Sequence, residues 1–132
     1  MMATNKLIPF IAVTALAIFL VANLFGFGRA GADADERQGA KMALKEGDAL
    51  LIDVRTPREY AKNGLDSARN IPLQELEKRL EEIGNTEDPV VLYCQSGNRS
   101  AQAADLLQRN GFGDVYDLGA HRTANNVVEE AM

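Results

Sequence analysis

The run Cys94-Gln95-Ser96-Gly97-Asn98-Arg99-Ser100 brings a thiol, two hydroxyls, a glycine and a guanidinium within one short segment. Cys94 is the only cysteine, so no intrachain disulfide is possible. The chemistry open to it is nucleophilic, because a thiolate forms where N–H dipoles or a cation face the sulfur. Gly97 lets the backbone turn inward without a Cβ. The N–H groups from Gln95 to Ser100 then form a nest able to hold a small anion or a persulfide above Cys94. Arg99 has two roles open to it, binding an anionic substrate or bracing the loop against a carboxylate. Ser96 and Ser100 offer hydroxyl hydrogen bonds, and Ser100 also suits the start of a helix.

Such a loop needs a strand to deliver the cysteine and a helix to receive the chain after it. Pro89-Val90-Val91-Leu92-Tyr93 reads as a short buried strand, and Ser100–Arg109 reads as a helix stopped by Asn110-Gly111. The thiolate would therefore face the helix's unpaired N–H groups. Residues 35–46 have helical composition and end at Gly47, and 49–54 read as a strand. Thr56-Pro57-Arg58-Glu59 combines a capping box with proline at the first helical position. Leu73, Leu76, Leu80 and Ile83 predict one helix with a core-facing stripe, closed by Gly84, and 114–118 predict a last strand. Alternating strands and helices imply an α/β domain, a central parallel sheet flanked by helices, with ligands gathering at the carboxyl ends of the strands.

Cys-x-x-Gly-x-Arg-Ser after an apolar strand resembles the active-site loop of the rhodanese family. Leu51-Ile52-Asp53-Val54-Arg55 with Glu59-Tyr60 resembles the family's first strand and turn. Ala68-Arg69-Asn70-Ile71-Pro72-Leu73 is similar to its Gly-Ala-x-Asn-Ile-Pro segment, and Gly111-Phe112 to Leu118-Gly119 to its last strand. The resemblance covers residues 35 to 120. Asn63-Gly64-Leu65-Asp66 stands where the family usually has a Gly-His-Ile-Pro run, and the closing Gly-Gly is Gly119-Ala120. The resemblance implies a thiosulfate sulfurtransferase: Cys94 takes the outer sulfur of thiosulfate, releases sulfite and passes a persulfide sulfur to cyanide or a thiol. It implies Cys94 as catalytic residue, Gln95, Ser96, Gly97, Asn98, Arg99 and Ser100 as the substrate cradle, and neither metal nor organic cofactor. Asp53 and Arg55 are expected to support the site by pairing with each other or with neighbouring loops. Arg58 and Arg69 are candidate rim charges, and His121, the single histidine, follows the last strand closely enough to approach the loop.

Leu7–Phe27 is almost uninterruptedly apolar and long enough to span about 30 Å of hydrocarbon as a helix. Residues 1–32 are accordingly expected to be a signal peptide or membrane anchor, an N-terminal hydrophobic helix ahead of a domain at 33–132. Lys6 before the run and Asp33, Asp35 and Glu36 after it favour an exported, periplasmic or otherwise extracytoplasmic domain, anchored in the membrane if residues 1–32 are retained. From Asp33 onward, 12 basic against 19 acidic side chains leave a net charge of −7 with no basic block, which excludes nucleic acid as a partner. No Cys/His cluster has metal-ligand spacing. Two rival classes remain. A cysteine phosphatase or arsenate reductase places five residues between cysteine and arginine, whereas four separate Cys94 from Arg99. A membrane-tethered sulfur carrier or protein-binding module would need no turnover of its own.

Overall fold

The structure, a computed structural model, describes residues 34–132 of the chain. The apolar run Leu7–Phe27, with the expected leader or anchor, lies outside the described residues. Helix α1 (Ala34–Glu46) ends at Gly47, whose φ of 80° is readily adopted only by a residue lacking Cβ. Strand β1 (Leu50–Asp53) leads through a turn into α2 (Pro57–Asn63), which starts as expected with the reciprocal capping box of Thr56 and Glu59. Strand β2 is only Arg69–Asn70. Then come α3 (Leu73–Leu76) with a 3-10 continuation over Glu77–Glu82, β3 (Val90–Cys94), α4 (Asn98–Arg109), β4 (Val115–Ala120) and α5 (His121–Ala131).

The strands form a four-stranded parallel sheet in the order β2-β1-β3-β4. Successive side chains of a strand alternate between faces, so a doubly covered strand must be apolar throughout. All five residues of β3 are buried. Val90, Leu92 and Cys94 face a core completed by Ala103, Ala104 and Leu107 of α4 with Ile71, Leu76, Ile83 and Phe112. Val91 and Tyr93 join the opposite core, with Ala40 of α1 and Ala124, Val127 and Val128 of α5. Full burial of each large apolar side chain contributes about 1.5–3 kcal/mol before entropy is counted.

Two elements differ from expectation. The stripe Leu73, Leu76, Leu80 and Ile83 is not one α-helix: Arg79 has φ −118° and ψ 21°, and a 3-10 stretch replaces the second half. The leucines still pack against the core, because steps of three residues, 73 to 76 and 80 to 83, keep one face under either helical period. The terminal helix α5 has no counterpart among the predicted elements. It follows β4 directly and packs on the sheet through Ala124, Val127 and Val128.

Candidate active site

Cys94 closes β3 and is fully buried. Register slips here: Leu92 pairs with Asp117, but Cys94 pairs with Ala120, so β4 carries one extra residue around Gly119. Such a bulge twists the strand end and re-aims the residues beyond it. The extra residue needs a positive φ, and Gly119 has 68°; Gly97, the N-cap of α4, has 101°. These glycines face each other closely, since a Cβ added at Gly97 would stand 3.5 Å from Gly119 Cα. The loop is thereby seated against the end of β4, where Ser96 makes an isolated bridge to Ala120.

Around the sulfur, Gly97 N–H donates to Cys94 Sγ at 3.0 Å and the Ser100 hydroxyl lies at 3.6 Å. Ser100, buried in the first turn of α4, also donates to the Gly97 carbonyl at 3.1 Å. Burial pushes the Cys94 thiol up, but hydrogen bonds from Ser100 and from the Gly97 and Ser96 N–H groups outweigh it and hold the thiol below its usual range. The loop thus stabilises an anionic sulfur with main-chain dipoles.

Arg99 takes the bracing role. Its Nη1 and Nη2 donate to both oxygens of Glu59, at 2.7 and 2.8 Å, a bidentate pair that leaves the guanidinium turned to α2. Glu59 accepts the Thr56 N–H at 2.9 Å with the same carboxylate, so one side chain caps α2 and ties it to the loop. Hydrogen bonds from Arg99 first, then from the Thr56 backbone, hold the Glu59 carboxyl far below the usual carboxylate range.

Asp53 and Arg55 pair as expected, and both are buried. Arg55 Nε and Nη2 donate to the Asp53 carboxylate at 2.8 to 3.0 Å, while Nη1 donates to Asn63 Oδ1 at 2.8 Å and to Gln95 Oε1 at 3.0 Å. The guanidinium also lies 5.7 Å from the Tyr93 ring. The Gln95 side chain is therefore anchored to this network, leaving its main-chain N–H as its contribution to the cradle. Asn98 is exposed at the start of α4. Arg58 is exposed without a hydrogen bond or ion pair among the described residues, and Arg69 donates to the Glu82 carbonyl at 2.6 Å. His121 does not meet the sulfur: its Nε2 lies 2.7 Å from the Asn63 carbonyl and its ring packs edge-on against Tyr93.

Three positioning residues escaped the sequence reading. Glu59 stood there as a capping residue and, with Asn70, within segments that resemble the family, but neither with a positioning role, and Asn63 carried no local signal for one; Asn70 Nδ2 donates to the carbonyls of Asp53 and Arg55, both at 2.9 Å.

Comparison with known proteins bears on this geometry. The family described as rhodanese-like domain matches residues 36–120. The uncharacterized protein YqhL of Bacillus subtilis is 49% identical over 70 residues, 53% of this chain and 55% of that protein. Thiosulfate sulfurtransferase PspE of Escherichia coli is 36% identical over 69 residues, 52% of this chain and 66% of PspE. Among solved structures, the human single domain sulfurtransferase TSTD1 superposes with a TM-score of 0.60 at 31% identity, covering 67% of this chain and 91% of that one. The matched part spans from 55% to 66% of the length of these two curated relatives.

Proposed function

Because the chain belongs to the rhodanese family, we propose that it is a sulfurtransferase carrying a sulfane sulfur on Cys94 from thiosulfate or a similar donor to a thiophilic acceptor. The observation that carries this reading is the sulfur's setting: a buried thiol, drawn below its usual range, with Gly97 N–H at 3.0 Å. In the forward step the Cys94 thiolate attacks the outer sulfur of thiosulfate, the S–S bond breaks and its electron pair leaves with sulfite. The resulting persulfide anion sits where the loop's N–H groups already point, and donors fixed before reaction stabilise charge without reorganising. A thiolate or cyanide then attacks the outer sulfur and returns Cys94 to the thiolate. Arg55, Asp53 and Asn63 hold Gln95, and Glu59 holds Arg99, so both sides of the loop are set before a donor arrives.

The commitment of Arg99 to Glu59 separates this reading from phosphatase or arsenate reductase chemistry, in which a guanidinium would have to turn into the ring to meet a tetrahedral oxyanion. The domain is read as extracytoplasmic, anchored or released, on the strength of the apolar run Leu7–Phe27 and the acidic residues after it.

The test is intact-mass analysis after exposure to thiosulfate. A gain of one sulfur atom, removed by cyanide and absent from Cys94→Ser, is the expected result. An unchanged mass with an alkylatable Cys94 would refute thiosulfate as the donor and count strongly against a Cys94 persulfide.

A further inference from the structure

Cys94 is 0% exposed, yet sulfur transfer requires first a donor and then an acceptor to touch its sulfur. One wall of the site must therefore move. On the core side Cys94 shares a cluster with Ala103, Ala104 and Leu107 of α4 and with Ile71 and Leu76, all buried. On the β4 side the loop is seated glycine against glycine, Gly97 on Gly119, and Ser96 bridges to Ala120. Opening the first wall would carry apolar side chains into water, and opening the second would part the loop from the sheet.

The third neighbour is α2, and it buries no side chain. It meets the loop on both flanks of the sulfur, directly at Arg99 and through Arg55 at Gln95. Its two ends are fastened unequally. Around the carboxyl end, Asn63 Oδ1 accepts from Arg55 at 2.8 Å and the His121 Nε2–H donates to the Asn63 carbonyl at 2.7 Å. There the Tyr60 hydroxyl also donates to the Ala68 carbonyl at 2.8 Å, and the Leu65 N–H donates to the Tyr93 hydroxyl at 3.2 Å. In the first turn, Pro57-Arg58-Glu59, the bidentate Glu59–Arg99 pair is the one hydrogen-bonded tie to another element among the described residues. The Arg99 and Glu59 side chains are 28% and 34% exposed, so water and salt reach them.

We propose that the first turn of α2 is a gate over Cys94: when the Glu59–Arg99 latch is released, the turn lifts on the anchored Asn63 end and admits the sulfur donor and acceptor. The inference deepens the sulfurtransferase reading and rests on it for what passes the gate. Thr56, Pro57 and Arg58 are exposed and follow the buried Arg55, so the chain bends there without uncovering a core residue. A turn held by one exposed ion pair, with no buried side chain, belongs to the part of a protein that opens locally while the rest stays folded.

The experiment alkylates the full-length protein with iodoacetamide, an uncharged reagent, across a range of pH. The plateau rate, reached once the thiol is fully ionised, reports access to the sulfur, whereas the midpoint reports its pKa. The variant is Glu59→Gln, which removes the charge but keeps the capping pattern of α2, since glutamine also serves at that position. Its plateau is expected to rise roughly twofold to fivefold, the change in population that loss of an exposed ion pair produces. Salt at about 1 M, where charges are screened beyond roughly 3 Å, is expected to raise the wild-type plateau and leave that of Glu59→Gln unchanged. Equal plateaus in the two proteins, or the same response to salt in both, overturn the gate. Intact mass after thiosulfate separates the two readings: if the latch governs the plateau but no sulfur is ever gained, the gate stands and the thiosulfate donor falls.

Discussion

Cys94 is held between two opposed effects, burial that favours the neutral thiol and hydrogen bonds that favour the thiolate, and the second prevails. The hydroxyl of Ser100 is one of those bonds, so Ser100→Ala is expected to raise the thiol's pKa and slow its alkylation by iodoacetamide at neutral pH by roughly threefold to tenfold. The rate profile against pH should keep its plateau and move to higher pH; an unmoved profile would mean that the N–H groups suffice alone. Arg55 is the other residue whose setting predicts a large effect. Replacing it by Ala strands the buried Asp53 carboxylate, which costs about 3–5 kcal/mol in comparable cases and would show as a lowered urea midpoint. The Asp53–Arg55 pairing was legible because opposite charges stand two residues apart where β1 ends, within reach of each other and of the local main chain. The reach of Arg55 to Asn63 and Gln95 was not, since the contact to Gln95 spans 40 positions and leaves no local pattern.

At the scale of elements, the loop depends on α2 through Glu59. The folded-state pKa of this carboxyl is depressed, so its contribution to stability is present in full above the ordinary glutamate value of about 4.3 and fades as the pH falls below it. The difference in urea midpoint between wild type and Glu59→Gln should therefore be present at pH 7 and shrink on acidification; a constant difference would assign the effect to packing. Loop length is the second lever. A glycine inserted between Gly97 and Asn98 should widen the ring of N–H groups beyond the roughly 2.7–3.1 Å at which donors stabilise a small charge. Persulfide formation should fall relative to binding of phosphate-like oxyanions, as read by intact mass and competitive alkylation. The elements that place this loop were legible because their signals are local: the apolar run of β3, the Thr56–Glu59 box, and the glycines that stop helices. The break at Arg79 was hidden because Leu73, Leu76, Leu80 and Ile83 fit both helical periods, while Arg79 ties itself to Glu75 and Glu82 on the exposed side. Helix α5 lacks a side-chain cap at Ala120, and its only clue was the spacing of Ala124, Val127, Val128 and Ala131.

For the whole molecule, the proposal of an extracytoplasmic domain rests on residues 1–32 and is tested there. A reporter fused after Met132 is expected outside the cytoplasmic membrane, and full-length fusion in the cytosol would overturn that expectation. Among the described residues no helix is long and apolar enough to cross a membrane. The sheet itself has two margins, β2 and β4. An open margin is a template on which a foreign strand, or another copy of the same one, can crystallise into an aggregate. Here β2 offers only two residues. On β4 the N–H groups of Asp117 and Gly119, two positions apart and so on one side of the strand, are both occupied by carboxylates, Glu36 and Asp117. These two acidic contacts thus blunt the long margin, and a visiting strand would have to displace them before it could recruit the first hydrogen bond.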